Sequence, residues 1–366
     1  MSGSHQSNGA ACDSQAEHPS IPLVNLDGLR SAQPQKAQQA GKALVDAFKT
    51  FGFAYVKNHG LPQETVDAAF QWVCLSRLMS VHDITTHNFI QSAKFFSLPQ
   101  AEKEKAPHPP EGWWHRGYSG IGREKVTQMV FDADEISERR KIPDFKESYE
   151  IGREDDDHLP NIWIPDESLP GFRAFFNSFY EDCYQLELHL LRGMALGMGL
   201  DEAFFQGYHV NKDNQIRLLH YPPAEEKLLR AGKVERLGGH TDFGSMTLLF
   251  QDEVGGLEVE DPNEAGRFVP VPYIPGTIVV NIGDFMQRWS NDTLRSTMHR
   301  VRAPPLETDV SGSRVTRARY SIPYFIGADS EKTVDCVPGC FGPERPKKYD
   351  PINSREYIEM RLNATY

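Results

Sequence analysis

Gly239-His-Thr-Asp-Phe-Gly244 is the stretch that decides the fold of this chain, because it sets two metal-ligating side chains two residues apart. Side chains of a β-strand alternate between its faces, and the strand rises about 3.3 Å per residue. His240 and Asp242 are therefore predicted on one face of a strand, about 6.6 Å apart along it. A third ligand, His299, would have to come from a distant strand that a folded β-barrel brings to the same point.

Two imidazoles and one carboxylate suit borderline divalent metals and can occupy one face of an octahedral ferrous ion. Three coordination positions would remain open for a cosubstrate and O₂. Two alternatives stay open on this motif alone: an H-x-D pair that occurs by chance, and zinc held by two histidines and an aspartate. The absence of cysteines from the motif argues against a structural zinc site.

A basic strand follows the last histidine. Thr316 to Phe325 reads as a strand with Arg319, Ser321 and Pro323 on one face. An arginine on an inward face is costly unless it is paired. Its planar fork matches a carboxylate, and the serine adds one donor. The partner is either a carboxylate ligand or an internal Asp or Glu.

The elements around these motifs predict an α+β, mainly β fold. From Gln215 onward, short strands alternate with turns rich in Gly, Pro, Asn and Asp. This pattern favours a double-stranded β-helix, or jelly-roll, core with the N-terminal helices packed outside. Helices are predicted over 35–50, from about Gln63, from Leu169 to Met198, and over Ser354–Asn363.

The chain resembles the 2-oxoglutarate- and Fe(II)-dependent dioxygenases of the isopenicillin N synthase-like family over about residues 20 to 366. The matching stretches are Ile21-Pro-Leu-Val24, Gly52-Phe-Ala-Tyr-Val56, Asn58-His-Gly-Leu-Pro62, Arg217-Leu-Leu-His-Tyr-Pro-Pro223, Gly239–Gly244, Thr247–Asp252, Gly255–Val259, Val280–Asp284, Trp289–Asn291, Ser296–Val301 and Arg319–Ser321.

The resemblance implies a site and a reaction. Fe(II) would be held by His240, Asp242 and His299, and 2-oxoglutarate by Arg319, Ser321 and Tyr221. O₂ would be the second cosubstrate, and succinate and CO₂ would be products. No catalytic residue is predicted beyond this metal centre. Hydroxylation of an unactivated C–H bond is the default outcome, with desaturation and cyclisation as alternatives.

The substrate is predicted to be a small organic molecule, such as a secondary-metabolite precursor, because a barrel mouth is a small-molecule site. Aromatic residues that could line it are Tyr118, Phe131, Phe243 and Phe325. Two rival functions remain. One is a 2-oxoglutarate-independent oxidase in which Arg319 and Ser321 hold a substrate carboxylate. The other is a catalytically silent binding protein, made so by an insert at 73–91 that disturbs the fold.

We predict four regions: a disordered tail at 1–19, an N-terminal dioxygenase region at 20–211, a catalytic core at 212–328, and a C-terminal extension with a helix at 329–366. Residues 73–91 interrupt the N-terminal region. The family normally passes from the preceding helix directly into a segment like Ser92–Pro99. The insert is either a surface excursion or a retained intron. The intron alternative arises because the codons at the two ends of the insert can resemble splice borders, and because its length keeps the reading frame.

The composition narrows the classes of partner expected for this chain. Acidic residues exceed basic ones, 51 against 39, which gives a net charge of −12. No basic patch of the kind that binds nucleic acid stands out in the sequence. The sequence contains no run of 18 apolar residues, so no membrane-spanning helix is predicted. The N-terminus also lacks the apolar core of a signal peptide. Five irregularly spaced cysteines fit reduced thiols, so we expect a cytoplasmic protein without membrane or nucleic-acid partners. We expect a monomer.

Overall fold

The computed structural model describes residues 20–73, 95–111, 114–123, 144–231, 236–309 and 312–363. Its α-helices are α1 (Pro34–Thr50), α2 (Gln63–Val73), α3 (Gln100–Lys103), α4 (Phe172–Gly197), α5 (Glu226–Arg230), α6 (Asp284–Trp289) and α7 (Ser354–Asn363). Its strands are β1 (Leu23–Asn25), β2 (Phe53–Lys57), β3 (Gly117–Ser119), β4 (Glu147–Gly152), β5 (Gln215–Tyr221), β6 (Leu237–His240), β7 (Met246–Gln251), β8 (Leu257–Glu260), β9 (Phe268–Pro270), β10 (Thr277–Ile282), β11 (His299–Val301), β12 (Leu306–Thr308), β13 (Arg314–Thr316), β14 (Arg319–Ile326), β15 (Thr333–Val334) and β16 (Ile352–Asn353).

Two sheets form the β-core and confirm the predicted α+β jelly roll. The large sheet has eight strands in the order β1-β2-β10-β7-β14-β5-β4-β3, and the small sheet has four in the order β6-β11-β8-β9. Their pairing is antiparallel except between β1 and β2. The candidate metal ligands lie on and beside the small sheet, whereas Arg319 and Ser321 lie on the large one.

Two apolar clusters hold these layers together. The larger cluster packs the outer face of the large sheet, including Leu218, Leu248 and Ile322, against α1 and α4. The smaller cluster joins residues of both sheets, among them Tyr221 and Val259. The predicted N-terminal helical layer outside the core is therefore confirmed, and the space between the sheets is left for a site.

The helical layer depends on close backbone approach. The carbonyl oxygens of Gly193 and Gly41 occupy the space where a Cβ would stand on Gly41 of α1 and on Gly197 of α4. Side chains at this crossing would force the helices apart. Among the helices of the described ranges, none combines the length and the apolar character that crossing a bilayer requires.

Two predictions concern residues outside this description. The tail at 1–19 lies outside the described residues, and so does the insert at 73–91 apart from Val73. Val73 is the last residue of α2 and is buried in the larger cluster, so the structure includes it in the helix.

Candidate metal centre and cosubstrate pocket

His240 and His299 lie directly opposite each other in the small sheet. His240 ends β6, His299 begins β11, and the two are register partners in an antiparallel pair. Their ring centroids are 4.2 Å apart. The third candidate ligand, predicted from a distant strand, is thus the immediate neighbour of the first.

Asp242 completes the group from the turn that follows β6, so the prediction that His240 and Asp242 lie on one strand is wrong for Asp242. Its Oδ1 lies 3.7 Å from His299 Nε2 and 4.0 Å from His240 Nε2. The candidate ligand atoms of the three residues all lie within 4.8 Å of one another, and the carboxylate and His299 are buried. The predicted triad is therefore close enough for one ion.

Backbone carbonyls select the imidazole nitrogens that face Asp242. His240 Nδ1 lies 3.0 Å from the carbonyl oxygen of Gly238, and His299 Nδ1 lies 3.2 Å from that of Thr297. A carbonyl only accepts, so each Nδ1 carries the hydrogen and donates it. Each Nε2 then presents a lone pair to the centre of the group, which is the tautomer that a metal ligand needs.

The other oxygen of Asp242 is held by two side chains that sequence analysis did not identify. Thr247 Oγ1 and Asn281 Nδ2 donate to Asp242 Oδ2 at 2.6 and 2.7 Å. Thr247 on β7 and Asn281 on β10 are themselves register partners. The signal available in the sequence was a polar residue inside each of two mainly apolar strands.

Burial and mutual charge favour the ligating protonation states of His240 and Asp242. Burial, helped by the neighbouring His299, lowers the pKa of His240 to about 3. Burial alone would raise the pKa of Asp242, but the two imidazoles and the bonds from Asn281 and Thr247 lower it. Neutral imidazoles and an ionised carboxylate are the forms that bind a metal. This donor set fits a ferrous ion, with one side open to the cavity.

Arg319 forms a second polar site on the large sheet. It is 1 % exposed, its Nη1 donates to Ser321 Oγ at 3.0 Å, and it is the register partner of Tyr221 on β5. Its guanidinium carbon lies 5.1 Å from the centroid of the Tyr221 ring. Within the described ranges, its buried Nε has no hydrogen-bond partner, and its charge acts on the half-buried Asp252 without a hydrogen bond to that carboxylate. A ligand carboxylate fits these donors better than the internal salt bridge considered above.

Arg236 is a second buried arginine near Tyr221, and sequence analysis did not identify it. It is 2 % exposed, and its guanidinium carbon lies 5.8 Å from the Tyr221 ring centroid. Its Nη2 donates to Thr316 Oγ1, whereas its Nε and Nη1 have no hydrogen-bond partner among the described residues. Burial, with Arg319 adding like charge, lowers the pKa of Arg236 to about 10. Both guanidinium groups favour an anion at this end of the site.

One cavity of about 760 Å³ joins the two sites. Its wall includes the triad, Tyr221, Arg319 and Ser321, together with the predicted aromatic residues Phe243 and Phe325. Tyr118 instead packs in the larger apolar cluster and donates to Glu147 Oε2 at 2.6 Å, so it does not line this cavity. Phe131 lies outside the described residues.

Strand alternation separates the two faces of β5. Tyr221 faces the cavity, whereas His220 faces the other side, 2.7 Å from Glu147 Oε1 and stacked on Tyr320. On β14, Arg319, Ser321 and Pro323 all line the cavity.

A second group with ligand-type atoms is already neutralised. His108, His115 and Glu150 are buried with such atoms within 4.8 Å of one another. Arg217 Nε lies 2.9 Å from Glu150 Oε1, and its Nη2 lies 3.4 Å from His115 Nδ1. The guanidinium supplies the positive charge here, so this group is a hydrogen-bonded charge network.

Comparison with known proteins gives concordant matches. The family model described as the 2OG-Fe(II) oxygenase superfamily matches residues 212–328. The model described as the N-terminal region of non-haem dioxygenase in morphine synthesis matches residues 21–74 and 82–166.

Whole-length relatives are similar as well. The chain is 35 % identical over 348 residues to the 2-oxoglutarate-dependent dioxygenase htyE of Aspergillus rugulosus, covering 94 % of this chain and 99 % of that protein. It is 38 % identical over 354 residues to the 2-oxoglutarate-dependent dioxygenase frbA of Dothideomycetidae sp., covering 95 % and 97 %. The crystal structure of a full-length Neurospora crassa protein in complex with alpha-KG and thymine has a TM-score of 0.79 at 39 % identity, covering 94 % of this chain and 97 % of that one.

Proposed function

This chain belongs to the 2OG-Fe(II) oxygenase superfamily, and the relatives compared above are 2-oxoglutarate-dependent dioxygenases. We therefore propose that it hydroxylates an unactivated C–H bond of a small organic molecule. Fe(II) is the metal, and 2-oxoglutarate and O₂ are the cosubstrates of this family. We assign the iron to His240, Asp242 and His299. We assign the far carboxylate of 2-oxoglutarate to Arg319 and Ser321, and a further contact with 2-oxoglutarate to Tyr221.

A single observation carries the proposal: a triad with lone pairs directed to one point shares a cavity with a buried arginine that has unused donors. A structural zinc site would be closed by a fourth protein ligand. Here the triad opens into a cavity of about 760 Å³, within the usual size range of small-molecule sites.

The chain's own residues would bind, orient and shield the reactants. Thr247 and Asn281 hold Asp242 so that only Oδ1 faces the imidazoles. Arg319 and Ser321 would neutralise the anionic end of 2-oxoglutarate, which orients its keto-acid end toward the triad. When bound, iron supplies oxygen activation coupled to decarboxylation of 2-oxoglutarate to succinate and CO₂.

The organic substrate would bind on the open side of the triad, against Phe243 and Phe325. The thymine complex of the Neurospora crassa protein supports a small molecule of this size. We further propose that this substrate is a secondary-metabolite precursor, the class expected from the sequence.

The test is anaerobic reconstitution. Purified protein receives Fe(II) and 2-oxoglutarate without O₂, and the weak metal-to-ligand absorption band is recorded, with Asp242→Ala as the control that should lack it. O₂ is then admitted, and O₂ uptake is compared with succinate release, with and without thymine as a first probe.

We expect the band and matched succinate and O₂ stoichiometry in the wild-type protein. O₂ uptake without succinate would favour the 2-oxoglutarate-independent oxidase. A protein that folds but gives neither band nor succinate would favour the silent binding protein.

A further inference from the structure

The C-terminal helix α7 borders the cavity that holds the triad. Ser354, Arg355, Ile358 and Glu359 of this helix line the cavity wall. On its inner side Tyr357 is buried, with its ring centroid 5.4 Å from that of Phe285 in α6. Helix α7 therefore packs against α6, the helix that follows strand β10 in the chain.

Arg361, one turn after Tyr357, makes two contacts toward the triad. Its Nη2 lies 2.6 Å from Asp284 Oδ2, and its guanidinium carbon lies 4.8 Å from the centroid of the Phe243 ring. The side chain of Arg361 is 31 % exposed and that of Asp284 is 13 % exposed. Phe243 directly follows the candidate ligand Asp242.

Asp284 carries this contact to the turn between the ligands. Thr241, which separates His240 from Asp242, donates its hydroxyl to Asp284 Oδ2 at 2.9 Å. The backbone N–H of Asp284 donates to the carbonyl oxygen of Asp242 at 2.7 Å, and that of Phe285 donates to the carbonyl of Phe243 at 3.1 Å. The turn that holds Asp242 is thus bound to the N-terminus of α6, and Arg361 binds both.

We propose that Arg361 is a positioning residue: by holding Asp284 and Phe243 it orients the His240–Phe243 turn, and so couples the packing of α7 to the affinity of the metal site. The inference rests on the assignment of His240 and Asp242 as ligands. It adds to the metal site a contact from the C-terminal helix, which lies outside the motifs that contain the candidate ligands.

The expected effect is on the metal more than on stability. A partly exposed ion pair contributes little to folding. Residues that orient metal ligands commonly change metal affinity by about 10- to 100-fold when they are replaced. Loss of Arg361 should therefore weaken metal binding in a protein that remains folded.

The test uses Mn(II) as the probe, with dissociation constants measured by electron paramagnetic resonance on the full chain without O₂. Arg361→Met keeps packing volume against Phe243 but removes the charge, and we expect about tenfold weaker Mn(II) binding. Thr241→Val removes the hydroxyl that reaches Asp284, and should weaken binding similarly. The double variant should bind Mn(II) no more weakly than whichever single variant has the lower affinity. Both substitutions interrupt the same chain of contacts through Asp284, so their effects should not add.

Matched variants separate positioning from a general effect. Arg192 on α4 is an arginine of similar exposure, 30 %, whose Nε lies 2.8 Å from Glu202 Oε2, and Arg192→Met should bind Mn(II) like the wild type. Arg361→Lys keeps a cation against Asp284 and should recover most of the affinity. If Arg361→Met does not accumulate, Arg361→Gln replaces it with the same expectation.

Wild-type affinity in the charge-lacking Arg361 variant, additive losses in the double variant, or an equal loss in Arg192→Met would each overturn the proposal. Failure of the wild-type protein itself to bind Mn(II) would instead contradict the assignment of the triad.

Discussion

The backbone N–H of Phe95 donates to the carbonyl oxygen of Trp72 at 2.9 Å, although 22 residues separate the two in the sequence. Trp72 lies in the last turn of α2, and Phe95 opens the next described range. Without residues 73–91, Phe95 would be the fourth residue after Trp72. That is the spacing of an α-helical N–H to C=O hydrogen bond.

Deletion of 73–91 is therefore expected to raise the melting temperature and the soluble yield. Closing a loop of about twenty residues costs roughly 2–3 kcal/mol, which the deletion removes. Deletion of 74–92 gives the same spacing and retains the buried Val73, so it should be at least as stable. Scanning calorimetry of both variants measures this.

A deletion of 74–91 is the control, since it puts Phe95 five residues after Trp72 and should stabilise less. Lower melting temperatures in all three variants would show that the insert is an integral element, and the retained-intron hypothesis would be wrong.

Replacing a triad residue should remove metal binding. His240→Ala, Asp242→Ala and His299→Ala are each expected to abolish turnover, because three ligands are the minimum for such a site. Asp242→Glu should also fail, since the longer side chain displaces Oδ1 from its position between the imidazoles. Fe(II) titration measures the loss, with His189→Ala on α4 as a histidine control. Full activity in any triad variant would remove that residue from the ligand set.

Thr247→Val tests the support of Asp242. The change keeps the shape of the side chain but removes the donor 2.6 Å from Asp242 Oδ2. Affinity for Mn(II) should fall about 10- to 100-fold, while Arg319-dependent binding of 2-oxoglutarate is not directly touched. Unchanged Mn(II) affinity would mean that Asn281 alone orients the carboxylate.

Arg319→Ala should weaken 2-oxoglutarate binding roughly 10²- to 10³-fold, because breaking a buried charge pair costs about 3–5 kcal/mol. Ser321→Ala removes one bond to a charged group and should cost about 1.5–3 kcal/mol. Arg319→Lys keeps the charge without the fork and should lie between wild type and Ala. Equilibrium titration of 2-oxoglutarate gives these values, and iron affinity should be retained in all three variants. A change confined to the Michaelis constant of the organic substrate would make Arg319 a substrate anchor.

His209 should make stability fall in acid. It is fully buried, its Nδ1 lies 2.8 Å from the carbonyl oxygen of Phe205, and its Nε2 lies 3.0 Å from Ser245 Oγ. Burial lowers its pKa from 6.5 to about 4 in the folded protein. Between these values only the unfolded chain binds the proton, so stability is lost as pH falls from about 6.5 to 4.

Urea denaturation of the wild type and His209→Gln at pH 7 and pH 4.5 isolates this contribution. The free-energy difference between the two proteins should change by roughly 2–3 kcal/mol in favour of the variant at the lower pH. Parallel losses in both proteins would assign the acid sensitivity to other groups.

Local periodicity made much of the fold predictable. Helix α1 was expected over 35–50 and spans Pro34–Thr50, and the final helix was expected over Ser354–Asn363 and spans those residues. The alternation of faces along β14 was also predicted, because it follows from strand geometry alone. These features depend on neighbours within a few residues along the chain.

Only the tertiary structure decided which residues meet across the sheets. Sequence spacing put His299 on a distant strand, and register made it the direct partner of His240. Register also brought Thr247 and Asn281 together on Asp242, and apolar packing holds Tyr118 in the core. Such contacts depend on strand pairing and on burial over long sequence separations. A local pattern specifies which face a side chain takes, but not the residue that it meets there.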